Sequence, residues 1–430
     1  MGIFNLSKFQ SAAKGIQTYK FVRITKGLSG MNDQKHILWA SFLVVFIASI
    51  AFYLIKPALA LKVRADLHAT AIEITAITSG FMVFRAIAAP LAGVAGDRSP
   101  ALRNYIVRLS LFPIALVAIA YAYVPEAFLA VLLSAMHGFF SGMLWPTLQV
   151  IVGFSAPEDK RGAYLGAYFT LAALGSSIGY ALYGFLPLSS TYLILTGAAL
   201  YALSAVVAAF LFSTSYTPEK YFEHRRKRDK LRLSSFPPLT IWVLMISFAT
   251  GGVLGLMNEY LYIFLYEVHS LTRSELGYVL TLATLLGVFS GILSGFLSDR
   301  FGIKNVLVII LLLSSVGLFS LAVSPSRLIV ALSLAAVLLA GKATFPITRN
   351  IAVAGNWAFA GTVVGLSNTF SNAGSAIFPL IAGYIYDAFE GEIIFGIDGR
   401  AMPLILSSLA VLFLAVLSPL ARERKYREKP

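Results

Sequence analysis

The chain has 430 residues, of which 58% are hydrophobic and 13% charged, and its net charge is +14. A water-soluble chain carries about 25% charged residues, so this composition excludes an ordinary soluble enzyme. The absence of cysteine excludes disulfides and thiolate metal centres.

Residues 1–36 are polar and basic, and Phe4, Leu6, Phe9, Ala13, Ile16 and Phe21 recur at a spacing that predicts an amphipathic surface helix. No short apolar core with a cleavage site follows, so this is not a signal peptide. Six apolar stretches come next, near 37–60, 72–94, 104–123, 127–152, 162–185 and 190–213. Each has about the 20 residues that a helix needs to cross a ~30 Å hydrocarbon layer. Lipid offers backbone groups no hydrogen-bond partner, so the stretches must be helical. Residues 214–238 form the long polar interruption, with His224-Arg-Arg-Lys-Arg-Asp-Lys230 and then Pro237-Pro238. A nucleic-acid patch is the weaker reading of that run, and a basic linker between two halves the stronger. Six further spans lie near 239–265, 274–297, 304–323, 328–353, 358–384 and 401–420, before a basic tail at 421–430. The expected fold is an all-α membrane protein of twelve transmembrane helices in two six-helix bundles, 37–213 and 239–420.

Lysine and arginine set the orientation. With the N-terminus inside, 25 of the 34 fall in cytoplasmic segments and five (Lys62, Arg64, Arg273, Arg327, Arg400) in outer loops. Both termini are therefore expected in the cytoplasm. The remaining four, Lys56, Arg85, Lys342 and Arg349, lie inside spans.

The halves repeat each other. Gly93-Val-Ala-Gly-Asp97-Arg98 returns 202 residues later as Gly295-Phe-Leu-Ser-Asp299-Arg300, while Gly162, Gly166, Gly175 and Gly184 return 199 residues later as Gly361, Gly365, Gly374 and Gly383. A period of half the chain implies duplication of one unit.

Twelve spans arranged as 6+6, a basic central linker and a doubled Gly-x-x-x-Asp-Arg together resemble the major facilitator superfamily. That resemblance implies a cavity between the halves, which rock about a site near the membrane midplane to expose it to each side in turn. It also implies that Gly93, Asp97, Arg98, Gly295, Asp299 and Arg300 gate the cytoplasmic face. The second copy is fuller, keeping Gly302 and Lys304. More narrowly, the stretches Tyr53-Leu-Ile-Lys56-Pro and His137-Gly-Phe-Phe-Ser-Gly-Met-Leu-Trp145-Pro146 are similar to organophosphate:phosphate antiporters, where Lys56 matches a phosphate-binding arginine. The family's second arginine falls near Thr250 and its histidine on Ala172, so the phosphate itself is not implied.

A charge at mid-bilayer costs on the order of 3 kcal/mol unless it meets water or a partner. Lys56, Arg85, Lys342 and Arg349 are accordingly candidate ligands for an anion, with Gln149, Asn368 and Asn372 as neutral hydrogen-bonding candidates. Most have a structural alternative: Lys56 reaching the outer interface, Arg85 pairing with a carbonyl or Glu259, Arg349 marking the cytoplasmic end, and the amides bonding between helices. Glu259 is the main opposing carboxylate, either a proton carrier or an ion-pair partner, with Glu267 nearer the outer end. Asn258 and Tyr262 are expected one turn apart on one helical face. His137 reads best as a packed polar residue.

No His-Glu-x-x-His, Gly-x-Ser-x-Gly or phosphate-binding glycine loop is present, so an enzyme or a nucleotide-driven pump is not expected. The expected function is secondary transport of a small organic solute, anionic by the cation excess, with a coupling proton or counter-transported anion and no cofactor. The chain is expected to sit as a monomer among membrane lipids. Export of amphipathic solutes is the main alternative, and a non-transporting sensor the lesser one.

Overall fold

The computed structural model describes residues 6–98, 100–157, 160–212, 238–290, 297–298, 300–355 and 360–418. The linker 214–238 and the tail lie essentially outside them, as do Gly295 and Asp299.

Helix α1 spans Leu6–Leu67 as one 62-residue rod, so the predicted surface helix and the first span are continuous. No proline precedes Pro57, and nothing in the basic segment compels a break. The first half continues with α2 (Ala71–Arg98), α3 (Pro100–Tyr121), α4 (Ala127–Ser155), α5 (Arg161–Phe185) and α6 (Ser190–Leu211). The second half contains α7 (Pro238–Leu256), α8 (Glu259–Glu267), α9 (Arg273–Gly287), α10 (Ile303–Val323), α11 (Arg327–Gly355), α12 (Ala360–Ala388) and α13 (Met402–Leu417). A two-residue hairpin, β1 (Ile393–Ile394) with β2 (Ile397–Asp398), separates α12 from α13.

These elements make a twelve-helix 6+6 membrane fold. The repeat read from the glycines is visible in the helices: α4 and α11 each have 29 residues and begin 200 positions apart. One expectation fails. The seventh span is not a single helix through 239–265 but α7 and α8, bent by 48° at a break between Leu256 and Glu259. Asn258 sits in that break with φ −117° and ψ −127°, so it and Tyr262 do not share a continuous helical face.

Glycines set how closely the helices pack around the centre. A Cβ at Gly142 would come within 2.5 Å of the Arg85 carbonyl oxygen, and one at Gly179 within 2.6 Å of the Ile50 carbonyl oxygen. These close approaches seat α4 on α2 and α5 on α1, and with them Arg85 and Lys56.

The two halves meet along α2–α12 and α5–α9, and their described contacts gather at one end. There Arg64 forks onto Glu267 at 2.6 and 3.1 Å, and the Tyr386 hydroxyl donates to Glu267 at 2.7 Å. Deeper ties are Ser79 to the Ala376 carbonyl at 2.6 Å and Thr281 to the Ser177 carbonyl at 3.4 Å. At the opposite end, Gly93 and Gly166 have open space where a Cβ would project. The molecule is thus sealed at the end carrying the 68–70 and 268–272 loops. Helix α1 starts, and α13 finishes, toward the other end.

Candidate functional site

Lys56 and Glu259 meet across the two halves. The Lys56 ammonium lies 3.3 Å from Glu259 Oε1 and donates to Asn258 Oδ1 at 2.9 Å. Both residues are buried, at 7% and 2% exposure. The break in span 7 makes the arrangement work. Asn258 Nδ2 donates to the Leu254 and Gly255 carbonyls at 2.8 and 3.2 Å, closing the end of α7. Its oxygen remains for Lys56. Glu259 then opens α8, where the unpaired backbone N–H groups favour a carboxylate. Pro57 follows Lys56 and brings no N–H of its own, a local looseness in α1 at the same level.

Aromatic rings wall the pair. The Lys56 ammonium stands 5.0 Å from the Phe52 ring centre and 5.6 Å from that of Phe81. The Tyr180 and Tyr262 hydroxyls are 2.8 Å apart, a second tie between the halves, and the Tyr53 ring packs 5.1 Å from that of Tyr180. Glu259 Oε2 is buried without a described hydrogen-bond partner. Lys56 therefore does not reach out to the interface, and Arg85 is not the partner of Glu259. The buried carboxylate has taken Lys56 instead.

Arg85 is half-buried on α2, on the side where Tyr53 and Tyr168 lie. Lys342 is half-buried on α11, with its ammonium against Gly287 at the end of α9. Among the described residues, neither has a hydrogen-bond or ion-pair partner. Gln149 is half-buried beside Tyr168, Asn372 is half-buried, and Asn368 is exposed. Of the expected ligands, the structure pairs Lys56 with Glu259, brings Arg85 close enough for its charge to act on Lys56, and places Lys342 on α11. The Arg349 side chain lies outside the described residues.

His137 is a packed polar residue, as expected. Its ring nitrogens face the Tyr201 and Tyr121 hydroxyls at 3.2 and 3.5 Å. Among the gating candidates, Gly93 is exposed and unpacked, Arg300 is exposed beside Phe301, and α2 ends at Arg98. The Asp97 and Arg98 side chains are outside the described residues.

The sealing residues went unread in the sequence. Arg64, Arg273 and Arg400 looked like outer-loop charges. In the structure Arg64 and Arg400 both approach Glu267, and Arg273 reaches the end of α5. The available signal was that each lies within a few residues of a span end, where a charge faces a helix terminus. Among the described residues, no group of three or more metal-ligating side chains occurs.

A family model described as Major Facilitator Superfamily matches residues 41–379 and 261–430. The multidrug resistance protein MdtG of Klebsiella pneumoniae is 23% identical over 407 residues, covering 92% of this chain and 95% of that protein. The hexuronate transporter of Bacillus subtilis is 24% identical over 406 residues, covering 86% and 93%. Among solved structures, a bacterial homolog of the human lysosomal transporter Spinster, inward-facing and unoccupied, superposes with a TM-score of 0.71 at 17% identity, covering 90% and 97%. The nucleoside transporter NupG gives 0.65 at 16% identity, covering 92% and 100%. At these identities the two structures establish the fold alone.

Proposed function

The chain belongs to the Major Facilitator Superfamily, and on that premise we propose that it moves a small organic anion across the cell membrane by alternating access. Family membership makes it a multi-pass membrane transporter rather than an enzyme. The anion is the finer reading, and one observation carries it. Arg85 and Lys342 are intramembrane cations, one in each half, with no described partner, while the buried carboxylate Glu259 is already engaged by Lys56. Unpaired charge at that depth persists where it faces water or awaits a counter-charge. A cavity of that sign concentrates anions.

With the termini in the cytoplasm, as the lysine and arginine distribution implies, the sealed end faces outward. Glu259 is the coupling residue in this reading. Its contact with Lys56 spans the two halves and so ties the charge of the site to their relative movement. A counter-transported anion competing at Arg85 and Lys342 is the other route to coupling.

The second reading, export of an amphipathic solute, draws on the aromatic wall of Phe52, Tyr53, Phe81 and Tyr168 and on the similarity to MdtG. Thermal-shift binding separates the two. Glucuronate should stabilise the purified protein, and Arg85→Gln should abolish that effect. Stabilisation by tetraphenylphosphonium, with none by glucuronate or a panel of other organic anions, would favour the amphipathic solute.

A further inference from the structure

The two seams at the sealed end are copies of one interface, and each carries a charge on a helix end. In the α2–α12 seam, Asp387 accepts from the backbone N–H groups of Ala71 and Ile72 at 2.7 and 2.9 Å. These are the first two residues of α2, whose N–H groups have no partner within the helix. In the α5–α9 seam, Arg273 donates to the carbonyls of Tyr183 at 2.9 Å and Leu186 at 2.7 Å, and also to that of Leu188. Helix α5 ends at Phe185, so these oxygens lie at and just past its carbonyl end.

The internal repeat relates the two. Ala71 moved by the 202-residue offset is Arg273, and Leu188 moved by the 199-residue offset is Asp387. The same two positions therefore meet in both seams, Ala71 with Asp387 and Arg273 with Leu188. In one seam the charge is an acid from the fifth span of its half. In the other it is a base from the second span. The neighbouring close approach is repeated as well, with Gly383 against Thr75 and Ile72 in one seam, and Gly184 with Gly277 in the other.

We propose that Asp387 and Arg273 form a two-part latch that holds the sealed conformation, the second half gripping α2 by its N-terminus and α5 by its C-terminus. Each grip matches the helix dipole, with negative charge on the N-terminus and positive charge on the C-terminus. Each is a set of charge-assisted hydrogen bonds. All of these bonds cross between the halves, so none survives when the halves part at this end. The latch lies apart from Lys56 and Glu259 and requires no substrate, so it stands or falls independently of the anion reading.

The protein has no cysteine, so two spin labels can be placed without removing any. Glu126→Cys and Leu328→Cys put exposed labels on opposite halves at the sealed end. Distance distributions of the full chain in lipid nanodiscs then report the sealed and open populations. Asp387→Asn and Arg273→Gln should each raise the open-to-sealed ratio about tenfold, and their effects should multiply when combined. Ala71→Pro removes one donor to Asp387 while leaving the acid in place, at a first helical position that tolerates proline, and should act in the same direction. Gly277→Ala serves as the control, because its new methyl would overlap the backbone of Gly184 and force that seam apart. The latch is overturned if Gly277→Ala shifts the distances while Asp387→Asn, Arg273→Gln and Ala71→Pro leave them unchanged.

Discussion

Removing one member of the Lys56–Glu259 pair should hurt far more than removing both. At 3.3 Å and an effective dielectric constant near 20, the Coulomb attraction is about 5 kcal/mol. Withdrawing two charges from water offsets most of that, so the intact pair adds little net stability. Glu259→Leu leaves a buried ammonium with only Asn258 as a polar neighbour, at an expected cost of about 3–5 kcal/mol. Lys56→Met leaves a buried carboxylate with one oxygen already unbonded, at a similar cost. The double variant Lys56→Met/Glu259→Leu removes both penalties and should be within about 1 kcal/mol of the parent. Thermal unfolding of all four proteins in one detergent closes the cycle, with an expected coupling of at least about 2 kcal/mol. Strictly additive effects, or single variants that melt like the parent, would show that the two groups do not depend on each other.

Arg85 has no described partner, so Arg85→Gln should leave the melting temperature nearly unchanged, while anion affinity measured by thermal shift falls about ten- to a hundredfold. Tyr180→Phe deletes the hydroxyl bond to Tyr262 across the halves and should cost about 1 kcal/mol in unfolding experiments. His269, in the loop between α8 and α9, has its pKa lowered by burial, partly countered by its 3.0 Å contact with the Leu321 carbonyl. The unfolded chain therefore binds a proton at a pH where the folded chain does not. Stability should fall as pH drops below the ordinary histidine value of about 6.5, and His269→Gln should flatten that part of the melting-temperature profile.

The architecture was legible because lipid leaves the backbone few choices. Apolar runs of span length have to be helices, and the Gly93/Gly295 and Gly162/Gly361 offsets expose the duplication without any contact information. The break in span 7 was not legible. Leu254 to Tyr262 carries no proline, and the break depends on Asn258 bonding back to the Leu254 and Gly255 carbonyls. The intramembrane charges could be picked out by their cost, but sequence could not say that Glu259 takes Lys56 rather than Arg85. That choice depends on where α1 and α8 cross. The sealing residues were missed for a different reason. Asp387 and Arg273 bond to backbone at Ala71, Ile72, Tyr183, Leu186 and Leu188, whose side chains carry no trace of the partnership.

The most direct test of the account is solute uptake by the purified protein in proteoliposomes, measured with radiolabelled glucuronate and a panel of small organic anions against tetraphenylphosphonium. The account predicts saturable uptake of at least one anion, lost in Arg85→Gln and in Lys342→Gln, with no uptake of the lipophilic cation. Transport of tetraphenylphosphonium that persists in both variants, with no anion carried, would contradict it.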